Sequence, residues 1–308
     1  AVGTISIPEM EKSGKYLHSL AALAVAAGII GPIIPPSITF IIWGVLAQES
    51  IVRLFAAGIV PGLLMAIGLM VLSVRYARKN NIVPEAKASR SERFTAIGQG
   101  KWALLAPVIV LGGIYGGIVT PTEAGVIAVV YSIFIGMFVY SELTLKDMPA
   151  IILTSLRTSA IVLFIIAAAS SVGWLIALEQ YPPKIASALD GLSDRPWLVL
   201  LLVNVLLLII GAIMDIVAAM IILSGVLVAV GEQLGMDGIQ LGAMVATNFV
   251  IGMATPPFGY ALFVGAAISG CSIGQITKHL MPLLMVLIGV LLLITYVPPV
   301  TLLIQRLF

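Results

Sequence analysis

The sequence predicts an all-α polytopic membrane protein, an inverted repeat of broken helices and re-entrant hairpins. Three observations carry that prediction. Hydrophobic residues make up 60% of the 308 residues and charged ones 10%, with a mean hydropathy of +1.16. A soluble domain is nearer a quarter charged. Apolar runs long enough to cross a ~30 Å hydrocarbon core recur along the chain. Two of these runs are interrupted in matching places, by Pro35-Pro36 and by Pro256-Pro257. Proline lacks a backbone N–H and clashes with the carbonyl four residues back, so each pair breaks its helix. In lipid, freed carbonyls are costly unless protein, water or an ion satisfies them.

Taken in order, residues 17–30 are a helix that stops at the first break, and 38–47 resume it. Residues 55–74 form a span that runs into Arg75, Arg78 and Lys79, and the polar stretch to Lys101 carries seven Lys/Arg against Glu85 and Glu92. Spans at 102–118 and 123–140 are joined by a tight Thr120-Pro121-Thr122-Glu123 turn, where Glu123 suits the first turn of a helix. A span at 158–178 contains the small residues Ser170, Ser171 and Gly173, which allow close helix packing or a local unwinding. Residues 180–195, with Pro182-Pro183, read as an amphipathic surface segment. Residues 197–230 are apolar for 34 residues, about 51 Å as one helix, too long for a single span. Gly211 and Asp215 interrupt that run near its middle, so two arms meeting there predict a re-entrant hairpin with a tip buried in protein. Helices at 238–252 and 258–270 flank the second break, and a last span covers 283–304.

A shift of 221 residues lays Ile30, Gly31, Pro35, Pro36, Gly44, Pro61 and Gly68 on Ile251, Gly252, Pro256, Pro257, Gly265, Pro282 and Gly289. These identities are mostly Gly and Pro, which share backbone geometry rather than general greasiness. The same shift makes residues 1–16 the return arm of an equivalent first hairpin, with its outgoing arm and tip expected upstream of Ala1. With the 75–101 loop in the cytoplasm, twelve of the sixteen Lys/Arg lie inside (Lys12, Lys15, the seven of the loop, Lys146, Arg157 and Lys278). Arg53, Lys184, Arg195 and Arg306 fall outside, the C-terminus is expected to be periplasmic, and the two broken helices run in opposite directions. Inverted repeats with discontinuous helices are the build of secondary transporters.

Asp215 is the one carboxylate deep in an apolar run, and such a group marks function or caps a helix. Sodium prefers hard oxygens, including carbonyls of unwound helices. The first expected Na+ site therefore takes Gly31, Ile34 and Pro36, and the second takes Gly211, Asp215, Gly252, Thr255 and Pro257. The helices restarting at Ser37 and Phe258 point positive dipole ends at an anion, so Ser37, Thr39, Phe258, Gly259 and Tyr260 are the expected substrate contacts. Thr247 and Asn248 are polar within a span, suited equally to interhelical hydrogen bonds and to substrate contact. Cys271 is alone and reads as a packing residue, and His18 and His279 read as interfacial. HExxH, GxGxxG, GKS/T and Ser-His-Asp patterns are absent from the sequence, which argues against ATP-driven transport and common hydrolase chemistry.

Residues 28–37, with Gly31-Pro32 and Pro35-Pro36-Ser37, and then Ala57-Gly58-Ile59-Val60-Pro61-Gly62, resemble the large membrane (M) subunit of TRAP (tripartite ATP-independent periplasmic) transporters. Pro121-Thr122-Glu123-Ala124-Gly125, Gly211-Ala212-Ile213-Met214-Asp215 and Thr255-Pro256-Pro257 extend the resemblance over the whole chain, as its C-terminal three-quarters. The resemblance implies sodium-coupled import, by an elevator mechanism, of a carboxylate-bearing solute of sialic acid or C4-dicarboxylate type. It implies a bacterial or archaeal cytoplasmic membrane, a small four-helix Q subunit, separate or fused upstream, and a periplasmic substrate-binding P subunit. No organic cofactor, enzyme activity or nucleic-acid partner is expected. In that scheme 17–47 and 237–270 are the broken helices of the transport domain and 197–236 is the second hairpin. Residues 48–146 and 271–308 are scaffold, and 147–196 link the repeats. A stand-alone sodium/dicarboxylate symporter of similar fold is the alternative. A channel is disfavoured by the paired breaks and the buried carboxylate, and an intramembrane enzyme by the lack of a nucleophile–base pair.

Overall fold

The computed structural model describes residues 17–82, 89–188 and 195–305. The expected return arm at 1–16 lies outside the described residues. Among the described residues every regular element is helical, and seven helices are long and apolar enough to span a membrane. The chain is an all-α polytopic membrane protein. It divides into two compact units, residues 1–76 with 165–308 and residues 77–164, the divisions falling within two of the long helices.

In the larger unit the first break separates α1 (Leu17–Gly28) from α2 (Ile38–Leu46), and α3 (Ile51–Lys79) follows. Three later helices also belong to it: α6 (Met148–Leu178), from residue 165 on, then α7 (Tyr181–Ala188) and α8 (Pro196–Ile213). The chain turns at Met214-Asp215 into α9 (Ile216–Gln233), so the 34-residue apolar run is two arms, as its length demanded. The second broken helix is α10 (Gly238–Gly252) and α11 (Tyr260–Ser269), followed by α12 (Ile273–Tyr296) and α13 (Pro299–Gln305). Both Pro-Pro bonds, 35–36 and 256–257, are cis.

The core of this unit is α10, buried at every residue from Ile239 to Gly252. Small residues let neighbours approach it: a Cβ on Gly242 would sit 2.5 Å from the Trp43 ring. The two broken helices run antiparallel. Val25 of α1 packs on Gly265 of α11, Trp43 of α2 on Gly242, and Glu49 after α2 on Gly238. One index rises as the other falls. Helices α3 and α12 are inverted in the same way, since Gly68 meets Val286 while Tyr76 and His279 both bond Ser19.

The repeat extends to tie points that share no residue type. Ser19, third in α1, has its hydroxyl 2.6 Å from that of Tyr76 near the end of α3. Under the 221-residue shift Ser19 falls on Gln240, third in α10. Gln240 donates from Nε2 to the carbonyls of Ile294 and Thr295 at the end of α12, both at 3.0 Å. Each leading half-helix is thus pinned to the end of the long helix that follows its own break.

The smaller unit contains α4 (Arg90–Tyr115) and α5 (Pro121–Phe134), the latter running into a π turn at Ile135–Val139. The two are antiparallel, with the Tyr131 hydroxyl donating to the Trp102 carbonyl at 2.7 Å and that of Tyr140 to Gln99 at 3.0 Å. Between them Gly117 takes φ +67°, a conformation glycine adopts without a Cβ penalty. A capping box of Thr120 and Glu123 then starts α5. Few of this unit's apolar side chains are buried within it, and Phe94 and Phe138 are 73% and 72% exposed.

Several expected boundaries move. The 75–101 stretch is mostly helical: α3 runs on to Lys79, and a Ser89–Glu92 capping box starts α4 at Arg90. The caps outweigh the polarity of the segment. The last long helix covers 273–296 rather than 283–304, because Ser272 and Gln275 form another capping box and Pro298-Pro299 end it. His279 therefore lies within α12, not at its end. Ser170 and Ser171 donate to carbonyls one turn back within a continuous α6, so no unwinding occurs there.

Candidate functional site

Within the larger unit one cavity of about 810 Å3 gathers the first break, the hairpin tip and the restart of the second broken helix. Pro36, Ser37 and Thr39 line one side, Gly211 and Asp215 another, and Phe258 and Tyr260 a third. Gly31, Ile34, Gly252, Thr255, Pro257 and Gly259 do not line it. Sequence reasoning missed Met214, Val217, Met253 and Phe263 on its wall. Phe263 was findable, since it lies three residues after Tyr260 on one helix face. Met253 was not, because only the fold turns it toward the tip.

The first break exposes main chain as its prolines require. Among the described residues the carbonyls of Gly31, Ile34 and Pro36 accept no hydrogen bond, while the neighbouring Ile30 carbonyl accepts two. Ser37 caps α2, accepting from the Phe40 N–H at 3.3 Å, and its own hydroxyl donates to the Pro32 carbonyl. Ser37 and Thr39 are buried. Ile34 packs its side chain on Gly62 of α3, where a Cβ would come within 2.5 Å of it.

The second break is more closed. The Gly252 and Thr255 carbonyls accept turn bonds from Thr255 and Gly259, at 2.8 and 3.1 Å, whereas those of Gly211 and Pro257 accept none among the described residues. The Thr255 hydroxyl donates to the Ile251 carbonyl at 3.0 Å, leaving its lone pairs free. Gly259 approaches so closely that a Cβ would lie 2.6 Å from the Met253 carbonyl oxygen. The hairpin tip lies against this break backbone to backbone, since a Cβ on Gly252 would be 2.8 Å from both Cα and C of Gly211.

Asp215 caps α9, its Oδ1 accepting from the N–H groups of Val217 and Ala218 at 2.9 and 3.2 Å. This is the capping role open to it from sequence. Oδ2 has no partner among the described residues, and the residue is exposed at the cavity. Behind the tip, the Asn248 amide donates to Asn204 Oδ1 at 2.7 Å, and Asn204 donates to Thr295 at 3.2 Å. Thr247 and Asn248 are wholly buried and do not reach the cavity. Cys271 is a buried free thiol.

A polytopic membrane protein with two antiparallel broken helices around one largely apolar cavity that holds a few polar groups (Ser37, Thr39, Asp215 and Tyr260) has the architecture of a membrane transport protein. The chain belongs to the family described as the tripartite ATP-independent periplasmic transporter, DctM component, whose model matches residues 1–300. This is a family of transport proteins, not enzymes. The chain is 41% identical over 301 residues to the isethionate TRAP transporter permease protein DctMQ of Oleidesulfovibrio alaskensis, covering 97% of this chain and 47% of that protein. It is 38% identical to the C4-dicarboxylate TRAP transporter large permease protein DctM of Pseudomonas aeruginosa, covering 98% of this chain and 71% of that one. It is also 38% identical to the sialic acid TRAP transporter large permease protein SiaM of Vibrio cholerae, covering 100% and 72%. The chain thus spans about half of the first relative and under three-quarters of the other two.

Proposed function

We propose that this chain is the permease core of a sodium-coupled importer of a small carboxylate-bearing solute. The observation that carries the reading is the set of unbonded carbonyls, Gly31, Ile34 and Pro36 at the first break, Pro257 at the second and Gly211 at the hairpin tip, with Pro36 and Gly211 among the residues of the cavity wall. Sodium is the cargo ion that such hard, neutral oxygens suit. In this reading Gly31, Ile34 and Pro36 hold one ion, and Gly211, Asp215, Gly252, Thr255 and Pro257 hold the other. Ser37, Thr39, Phe258, Gly259 and Tyr260 surround the solute.

Relatives named for C4-dicarboxylate, sialic acid and 2,3-diketo-L-gulonate transport support a carboxylate solute, while the one named for isethionate, a sulfonate, supports only the wider class of small organic anions. A periplasmic P subunit delivers it and a small Q subunit braces the frame. The relative named DctMQ is compatible with Q in one polypeptide with the permease. The protein resides in the cytoplasmic membrane, with the basic 75–101 segment inside and the C-terminus outside. The moving body of an elevator is formed by the broken helices at 17–47 and 237–270 with the hairpin at 197–236, and residues 48–146 and 271–308 are its scaffold.

The test is uptake by the complete transporter in proteoliposomes with candidate binding proteins, with and without an inward sodium gradient. Uptake should require the gradient, and Asp215→Ala should abolish it at near-normal expression. Equal uptake without sodium would overturn the reading, and unchanged uptake by the variant would remove Asp215 from the ion site.

A further inference from the structure

We propose that Asn204 and Asn248 are positioning residues for the second cation site, holding the hairpin tip in register with the second break. The inference rests on the sodium reading above for its functional consequence, though not for its geometry. Helices α8 and α10 run in the same direction, because Asn204 pairs with Asn248 and, further along both, Gly211 meets Gly252. Asn248 precedes Gly252 by four residues and Asn204 precedes Gly211 by seven, about 6 and 10 Å at 1.5 Å per residue, so the amide pair lies one to two turns behind the crossing.

That crossing is glycine backbone on backbone, with the buried Phe249 ring beside it, its Cδ1 3.2 Å from a Cβ placed on Gly211. A Cβ on Gly211 would stand 3.2 Å from Phe249 Cα and carbonyl oxygen, and one on Gly252 would stand 2.8 Å from Gly211 Cα. Glycine backbone and an apolar ring make no directional contact, so a hydrogen bond is what fixes their register. The Asn248–Asn204 bond at 2.7 Å supplies it, and Asn204 is anchored in turn on Thr295 of α12 and on the Leu200 carbonyl.

Asn248 is 0% and Asn204 2% exposed, and Asn248 Oδ1 accepts no hydrogen bond. A buried amide with an unused acceptor costs stability. Apolar residues of similar shape would pack at no such cost. Specification of register is the best-attested use of a buried asparagine pair. One residue of slip would carry Gly211 away from Gly252.

The test compares the wild-type transporter with Asn248→Ala, Asn204→Ala and the double variant. The first readout is the sodium concentration for half-maximal uptake. The second is alkylation of Met214→Cys at the exposed tip by a polar maleimide, in a Cys271→Ser background. Each single variant should raise the sodium requirement by about tenfold and speed tip alkylation several-fold. The double variant should be no worse than either single, because each removes the same bond. Alkylation of Val45→Cys, away from the tip, should stay unchanged. Lower thermal stability with an unshifted sodium requirement and unshifted alkylation would make the pair merely structural and overturn the proposal. Faster tip alkylation in a transporter whose uptake ignores sodium would uphold the positioning role and sink the sodium reading instead.

Discussion

A single hydrogen-to-methyl change at Gly252 tests how closely the hairpin tip must lie on the second break. Its Cβ would meet the backbone of Gly211 at 2.8 Å, and backbone cannot rotate away as a side chain can. Overpacking of this kind costs about 1–3 kcal/mol. Gly252→Ala should lower the thermal midpoint in detergent and cut uptake more than tenfold, whereas Gly289→Ala, with open space around it, should do neither. Glu49, in the turn after α2, gives a pH-dependent case. Partial burial raises its pKa, the nearby Asp237 raises it further, and Arg53 offsets part of this. The folded chain therefore holds this proton to higher pH than the unfolded chain. Stability from this group is fully present below the ordinary glutamate pKa and is lost as pH rises through the raised value. Glu49→Gln should match wild type in thermal midpoint near about pH 4 and exceed it near about pH 8.

The helices owe their ends to local chemistry more than to their apolar content. Capping boxes at Ser89–Glu92, Thr120–Glu123 and Ser272–Gln275 set the starts of α4, α5 and α12. Each satisfies N–H groups that hydrocarbon cannot. Thr120→Ala removes an acceptor for the Glu123 N–H and a donor to its carboxylate, and should cost about 1 kcal/mol. Hydrogen exchange at the first turn of α5 should rise while α10, buried throughout, stays protected. The same caps explain the misplaced boundaries. Hydropathy located the apolar centre of each span, but Arg90 and Ile273 begin helices because of the serine just before them.

At the scale of the whole molecule, the antiparallel broken helices concentrate polar main chain where two packed repeats meet. The proposed coupling of uptake to sodium, and its expected loss in Asp215→Ala, belong to this scale, because the proposed site needs three distant segments at once. The Glu49–Gly238 and Val25–Gly265 contacts lie at opposite ends of that packing. Disturbing either end should alter the central cavity only through rigid helices. The smaller unit, with Phe94 and Phe138 largely exposed, depends on lipid or another protein to cover its apolar faces.

The sequence by itself determined the helical membrane class, the hairpin and both breaks. A 34-residue apolar run cannot be one span, and paired prolines cannot sit in a helix interior, though a first turn tolerates them as Pro182-Pro183 do in α7. Matched Gly and Pro identities made the repeat legible, because backbone geometry is written in residue type. Only the tertiary structure decided that Met253 shares a cavity wall with Asp215, and that Asn248 meets Asn204. Those pairings join residues far apart in the chain, and a local pattern records which face of a helix is apolar, not which neighbour will cover it.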